Sequence, residues 1–303
     1  LAILLTIPAF GTATGDVKAL QQVKSWGYQL QAREGNRLDL GALQKSPFDL
    51  LVIDYADGDR PLLARDVDRV RQRPNDAGRR ILLAYMSIGE AEDYRFYWKA
   101  PWKSRPPAFL ARSNPDWKGN YKVRYWDPAW QSILTDYLDR IIDAGFDGVY
   151  LDIIDAFEFF GPGGEMFERK TAAEDMRALV VKLAGYAREK RQKQDFFIVP
   201  QNGANILDGL SDQDAKPYLD AVDAIGVEDT FFSDDELKVH GGVIKRLERF
   251  QKAGKPVFAV DYVKNLESAR KFVRLAKKHG FIPYVGAREL DRLVQQPDAR
   301  RPE

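Results

Sequence analysis

The sequence predicts an α/β chain of the (β/α)8 barrel class, and three observations predict it. Eight short runs rich in Val, Ile, Leu and aromatic residues are spread along the chain, as parallel strands covered on both faces should be. Helical patterns separate most of them, which implies repeated βα units and a parallel sheet. The chain has 303 residues, and eight such units in roughly 280 residues suit a fold for which about 250 is typical. A doubly wound open sheet is the alternative. No glycine fingerprint follows the first strand-like run to support it.

Taken in order, the chain opens with "LAILLTIPAFGTATGD", an apolar run followed by small residues. It resembles the apolar stretch and cleavage site of a secretory signal peptide lacking its initiator Met and basic start. Residues 1–15 are expected to be such a segment, with the protein secreted or periplasmic, and 16–303 to be a single domain. The run is too short for a comfortable membrane-spanning helix, and no later stretch qualifies, so no stable membrane span is expected. Strand-like runs follow at 25–31, 48–56 and 80–89. Residues 90–125 break the repeat: the segment is long, aromatic-rich and interrupted by proline, and reads as a loop inserted after the third strand. Long loops in compact domains are often functional. Tyr94, Trp98, Trp102 and Trp117 could wall a sugar site there or pack the loop's own small core.

Asp127 and Pro128 then look like an N-cap and a first helical position. Trp130, Ile133, Leu134, Tyr137, Leu138 and Ile141 recur at helical spacing until Gly145. Strand-like runs return at 148–154, 196–202, 224–231, 256–263 and 281–287. "SDDE" at 233–236 fits a capping box, and Asn265 a cap for a helix running to His279 and ended by Gly280. The tail "QQPDARRPE" is polar and expected to fray.

Composition excludes several functions. Hydrophobic residues make up 45% of the chain, so a large core is available and global disorder is excluded. The net charge of +1, from 46 basic and 45 acidic side chains, gives no global attraction to nucleic acid or an anionic membrane. Basic clusters such as "REKRQK" lack the aromatic interleaving of single-strand binders. Cysteine is absent, which removes disulfides and thiolate zinc sites. Neither His240 nor His279 stands at a strand end, which argues against histidine-based triads and metal centres. "GPGGE" at 161–165 lacks the Lys-Ser/Thr of a P-loop. No cofactor is expected, and a monomer is.

The chemistry concentrates where strands end. Alternation puts Gly148, Tyr150 and Asp152 on one face of the fourth strand, and Ala224, Gly226 and Glu228 on one face of the sixth. Asp54 and Tyr55 end the second strand, and Tyr85, Ser87 and Glu90 follow along the third. Gln201 and Asn202 end the fifth, Asp261 and Tyr262 the seventh, and Tyr284 lies in the eighth. In a barrel these ends form the active-site face. Two carboxylates from different strands of one mouth suggest glycoside hydrolysis, one attacking the anomeric carbon and the other protonating the leaving oxygen. Asp152 and Glu228 are the best pair. Asp155 reads as a loop cap or a supporting acid, and Asp229 as facing away toward a helix. Asp54 and Asp261 could bind sugar hydroxyls or amines, or accept backbone N–H bonds.

The motifs "DLLVIDYADGD", "LLAYMSIGEAEDYRFYW", "VRYWDPAWQ", "GFDGVYLDIIDAFE", "VPQNG", "GVEDTFF" and "VFAVDYV" stand in this order. Together they resemble the endo-α-1,4-polygalactosaminidases of glycoside hydrolase family 114, over about Trp26 to Tyr284. The resemblance implies a (β/α)8 barrel with an acid on strand four and a glutamate on strand six as its catalytic pair, positions held here by Asp152 and Glu228. It implies an α-1,4-linked galactosamine polymer as substrate. From their places on the strands, Tyr55, Tyr85, Ser87, Tyr150, Asn202 and Tyr284 are expected beside the acids as contacts. A retaining mechanism is expected, with Asp152 as nucleophile and Glu228 as general acid/base. The alternatives are a catalytically silent barrel that binds sugars, and a scaffold for envelope polysaccharide assembly.

Overall fold

Eight parallel strands form the centre of the molecule. The computed structural model describes residues 17–33, 37–74, 78–233 and 235–297. The apolar N-terminal run read as a signal segment lies outside the described residues. After α1 (Val17–Gln21) comes β1 (Trp26–Gln29), then α2 (Leu40–Lys45) and β2 (Leu50–Asp54). A small antiparallel pair, β3 (Ala56–Asp57) and β4 (Arg60–Pro61), precedes α3 (Ala64–Arg71) and β5 (Ile81–Ser87). The long segment that follows contains β6 (Glu90–Glu92), β7 (Leu110–Ser113) and β8 (Asn120–Val123). Then come α4 (Pro128–Asp143), β9 (Gly148–Asp152), α5 (Ala156–Phe160), α6 (Ala172–Gly185) and β10 (Phe197–Pro200). The last third carries α7 (Asp212–Ala221), β11 (Ile225–Glu228), β12 (Phe232–Ser233), β13 (Glu236–Leu237), α8 (Gly241–Lys252), β14 (Val257–Asp261), α9 (Leu266–Lys278) and β15 (Ile282–Val285).

Strands β1-β2-β5-β9-β10 form one parallel sheet and β11-β14-β15 another. A parallel bridge between Gln201 and Gly226 links β10 to β11. At the other seam, the Trp26 indole N–H donates to the Ile282 carbonyl at 2.9 Å. Aromatic rings from the two sheets pack against one another. Trp26 lies 5.6 Å from Phe258, 5.5 Å from Tyr284 and 6.3 Å from Tyr150, centroid to centroid, and Tyr28 lies 5.3 Å from Tyr150. Trp26 and Tyr150 meet although their strands are three apart in the sheet. Gly226 makes room for this filling, because a Cβ there would sit 1.8 Å from the Tyr150 hydroxyl oxygen.

Helix ends follow the local chemistry. Asp127 caps α4 by accepting from the Ala129 N–H at 2.8 Å, with Pro128 at the first position. Asn265 caps α9 through the Ser268 N–H at 2.7 Å. Two readings are corrected. Residues 233–236 do not cap a helix: Ser233 and Glu236 pair across a short hairpin, β12–β13, and α8 begins later, at Gly241. The same Ser-to-Glu spacing that bonds a capping box also fits a tight reversal, and no helical apolar period follows it at once. The segment after the third parallel strand is not an irregular loop either. It folds as a three-stranded antiparallel sheet, β6-β8-β7, over rings that pack in sequence. Trp98 stacks near Tyr121 at 4.8 Å, Trp102 meets Trp98 at 5.2 Å, and Phe109 meets Trp102 at 5.3 Å.

Candidate active site

A cleft of about 810 Å³ opens over the carboxyl ends of the parallel strands, a size suited to a sugar-sized ligand. Asp152 from β9 and Glu228 from β11 both line it. Each is held at both oxygens. The Tyr85 hydroxyl donates to Asp152 Oδ2 at 2.7 Å, and the Ile153 N–H to Oδ1 at 2.8 Å. The Asn202 amide donates to Glu228 Oε1 at 2.9 Å, and the Tyr262 hydroxyl to Oε2 at 2.7 Å. Burial holds Tyr85 and Tyr262 well above the usual phenol range, with the carboxylate charges adding to it, so both remain donors. The chain turns sharply beneath these groups. Ile153, Asn202 and Asp229 have φ of 59°, 58° and 49°, so each of three successive strands is followed by a left-handed residue other than glycine. A β-branched residue there is costly, on the order of 1–3 kcal/mol. In exchange, Ile153 presents its N–H to the carboxylate.

Burial, then the Glu228 charge, pushes Asp152 up to about 8, against the opposing effect of its two hydrogen bonds. Both causes disfavour a charge on Asp152.

A second set of charges stiffens one wall. Arg95 is buried and bonds Asp54 at 2.7 Å and Glu92 at 2.6 Å. Its guanidinium lies 5.1 Å from the centre of the Tyr94 ring and 6.0 Å from that of Tyr85. Glu90, fully buried, accepts from Asn114 at 2.9 Å and Asn120 at 3.1 Å, and pairs with Lys122 at 2.6 Å. On the opposite wall Arg288 grips Asp229 with two bonds of 2.7 and 2.9 Å and stacks 4.2 Å from the centre of the Tyr262 ring. The cleft lining carries nine carboxylates against five cationic side chains, in a chain whose net charge is +1. The negative charge is therefore local. Among the described residues no group of His, Cys, Asp or Glu is placed to hold a metal ion, and no helix is long and apolar enough to cross a membrane.

The other residues expected at the site divide. Asp54, Tyr85, Glu90 and Asn202 line the cleft with the pair, although the Asp54 and Glu90 carboxylates are already bonded to the protein. Tyr55 and Asp261 do not line it. Each follows an inward-facing residue by one position and so points outward. Tyr55 packs edge-on against Tyr137 at 5.7 Å. Asp261 is buried and accepts the backbone N–H groups of Thr230, Phe231 and Phe232 at 2.9–3.0 Å. Tyr150 and Tyr284 face inward but lie one layer below the floor, in the aromatic filling. Ser87 also faces inward, and its hydroxyl donates to the Glu90 carbonyl at 3.1 Å. Asp229 turns to Arg288 rather than to a helix, because its left-handed backbone reverses the strand's alternation.

Glu92 and Arg288 were not anticipated, and Tyr262 was read only as ending the seventh strand. Tyr262 had a signal: it shares its face of the seventh strand with Phe258, an interior ring. Of the four aromatic residues proposed as sugar walls, Trp98 and Trp102 pack the insert's own core, and Tyr94 and Trp117 line the cleft exposed.

The model of glycoside-hydrolase family GH114 matches residues 9–301. An uncharacterized protein of Deinococcus radiodurans is 38% identical over 295 residues, spanning 96% of this chain and 88% of its own. An uncharacterized protein of Methanocaldococcus jannaschii is 38% identical over 283 residues, spanning 88% and 77%. Among solved structures, Aspergillus fumigatus Ega3 in complex with galactosamine superposes with a TM-score of 0.64 at 17% identity, over 90% of this chain and 94% of that one. The glycoside hydrolase domain of PelA from Pseudomonas aeruginosa gives 0.65 at 18%, over 91% and 100%. These two likenesses establish a shared α/β fold.

Proposed function

The chain belongs to glycoside-hydrolase family GH114, and on that footing we propose that it is an endo-acting hydrolase of α-1,4-linked galactosamine-type polysaccharide, working with retention through Asp152 and Glu228. The observation that carries this reading is the pair itself: two carboxylates from different strands in one acidic cleft. We read the eight parallel strands as a closed (β/α)8 barrel. The Gln201–Gly226 bridge at one seam, the Trp26–Ile282 bond at the other and the ring contacts across the interior support that closure.

Asp152 is the nucleophile and Glu228 the general acid/base, and the singly protonated pair is the reactive form. Asp152 is raised in the free cleft, and the mechanism requires it ionised, with the proton on Glu228, before attack. An ammonium at C2 of the sugar, beside the anomeric carbon, favours negative charge on Asp152 and draws the proton off it. Asp152 then attacks the anomeric carbon while Glu228 gives its proton to the leaving oxygen. Glu228, now ionised, takes a proton from water in the second step as that water opens the glycosyl ester. The local excess of carboxylates supports a cationic substrate. Galactosamine bound to Ega3 agrees in sugar type.

Purified protein is incubated with deacetylated and acetylated galactosamine polymers, and products are read by mass spectrometry and NMR. The reading predicts α-configured oligomers from the deacetylated polymer, lost in Asp152→Asn and Glu228→Gln. An inverted product anomer refutes the retaining mechanism, and cleavage that survives both substitutions refutes the site.

A further inference from the structure

Trp117 is 59% exposed and Tyr94 is 56% exposed, and both line the cleft. The other five tryptophans are buried or partly buried. A large aromatic side chain left in water forgoes much of its hydrophobic stabilisation, so two on one rim ask for a partner. Both are held in place. Trp117 lies on the turn 114–120, closed by the Asn114 N–H donating to the Asn120 carbonyl at 2.8 Å. The side-chain amides of those two residues reach the same buried carboxylate, Glu90. Glu90 therefore pins both ends of the turn. Gly119 in the turn has φ of +93°, and a Cβ there would lie 2.9 Å from an Asp93 oxygen and 3.7 Å from the Tyr94 ring, so the turn that carries Trp117 packs close to Tyr94. Tyr94 is fixed by its hydroxyl, which donates to Glu92 at 2.6 Å, and by Arg95 beneath its face.

We propose that Tyr94 and Trp117 form a distal subsite that stacks on the apolar face of a sugar ring away from the bond being cut, on a mount anchored by Glu90. The proposal rests on the glycosidase reading above and extends it to chain-length selection. A pyranose presents C–H bonds on one face and hydroxyls at its edge. Rings already fixed in position lose little side-chain entropy on contact. Such a subsite is filled by a long chain and left empty by a short one.

The test is kcat/KM for galactosamine oligomers of increasing length with the wild type, Trp117→Ala and Trp117→Phe. The ratio of long-chain to short-chain kcat/KM is expected to fall about tenfold in Trp117→Ala, equivalent to about 1.4 kcal/mol, and to recover in large part in Trp117→Phe. In parallel, a long oligomer is titrated into Asp152→Asn protein. Tryptophan emission is expected to shift, and the shift to vanish when Trp117→Phe is added. A loss in Trp117→Ala that is equal at every length, or no loss, overturns the subsite and leaves the glycosidase reading standing. A wild type inert toward every amino-sugar polymer overturns the glycosidase reading, and the subsite with it.

Discussion

Replacing Tyr85 by Phe removes one oxygen and with it the 2.7 Å bond to Asp152. That bond favours the ionised carboxylate, so it lowers a pKa that burial and the Glu228 charge raise to about 8. Without it the pKa must rise further. A hydrogen bond to a charged group contributes about 1.5–3 kcal/mol, and one unit corresponds to about 1.4 kcal/mol. The shift is therefore roughly one to two units. In the proposed mechanism the reactive pair carries one proton, and Asp152 loses its own above about 8 in the wild type. The alkaline limb of kcat/KM reports the free enzyme. It should stand near 8 in the wild type and move to roughly 9–10 in Tyr85→Phe, while kcat falls because the nucleophile has lost a positioning bond. Tyr262→Phe is the control. Tyr262 bonds Glu228 rather than Asp152, so its loss should move that limb much less. A limb that stays in place or moves to lower pH in Tyr85→Phe refutes the assignment of that limb to Asp152.

Three further outcomes are expected. Arg95→Met leaves Asp54 and Glu92 buried without their cation and should lower stability by about 3–5 kcal/mol; adding Asp54→Asn and Glu92→Gln should restore most of it in a denaturant titration, and a single variant within about 1 kcal/mol of wild type contradicts the buried ion cluster. Gly226→Ala forces a methyl group into the Tyr150 hydroxyl, and overpacking of this kind costs about 1–3 kcal/mol or more; calorimetry should show a lower Tm, partly recovered by Tyr150→Leu. KM for a deacetylated oligomer should rise with salt, since screening acts over about 10 Å at 0.1 M, and Asp155→Asn on the exposed cleft wall should flatten that rise; a salt-independent KM removes the cationic-substrate argument.

The parallel strands could be read from sequence because each is an apolar run bounded by polar residues, and all eight lie where those runs lie. Strand alternation singled out Asp152 and Glu228, and strand-end position Asp54 and Tyr85; all four line the cleft. It misled where the reading shifted by one position. Asp261 and Tyr262 are neighbours, and the carboxylate drew attention although Phe258 marks the inward face of that strand. What sequence cannot carry is partnership at a distance. Nothing in Asp54 announces that Arg95, 41 residues later, will hold it. The four aromatic residues of the insert are alike in sequence, and only folding turns Trp98 inward and Trp117 outward.

The ring-filled interior under the carboxylates closes the cleft from below. Trp26, Tyr28, Tyr150, Phe258 and Tyr284 are almost fully buried, so the two acids meet water on the side of the mouth. On the proposed function, a sugar chain lying across that mouth is then also its stopper. As its scissile bond arrives, the hydration of Asp152 and Glu228 is displaced from the side the chain occupies. Charge interactions within the pair and with the substrate strengthen as the local dielectric falls, so the site becomes most strongly polarising once it is occupied.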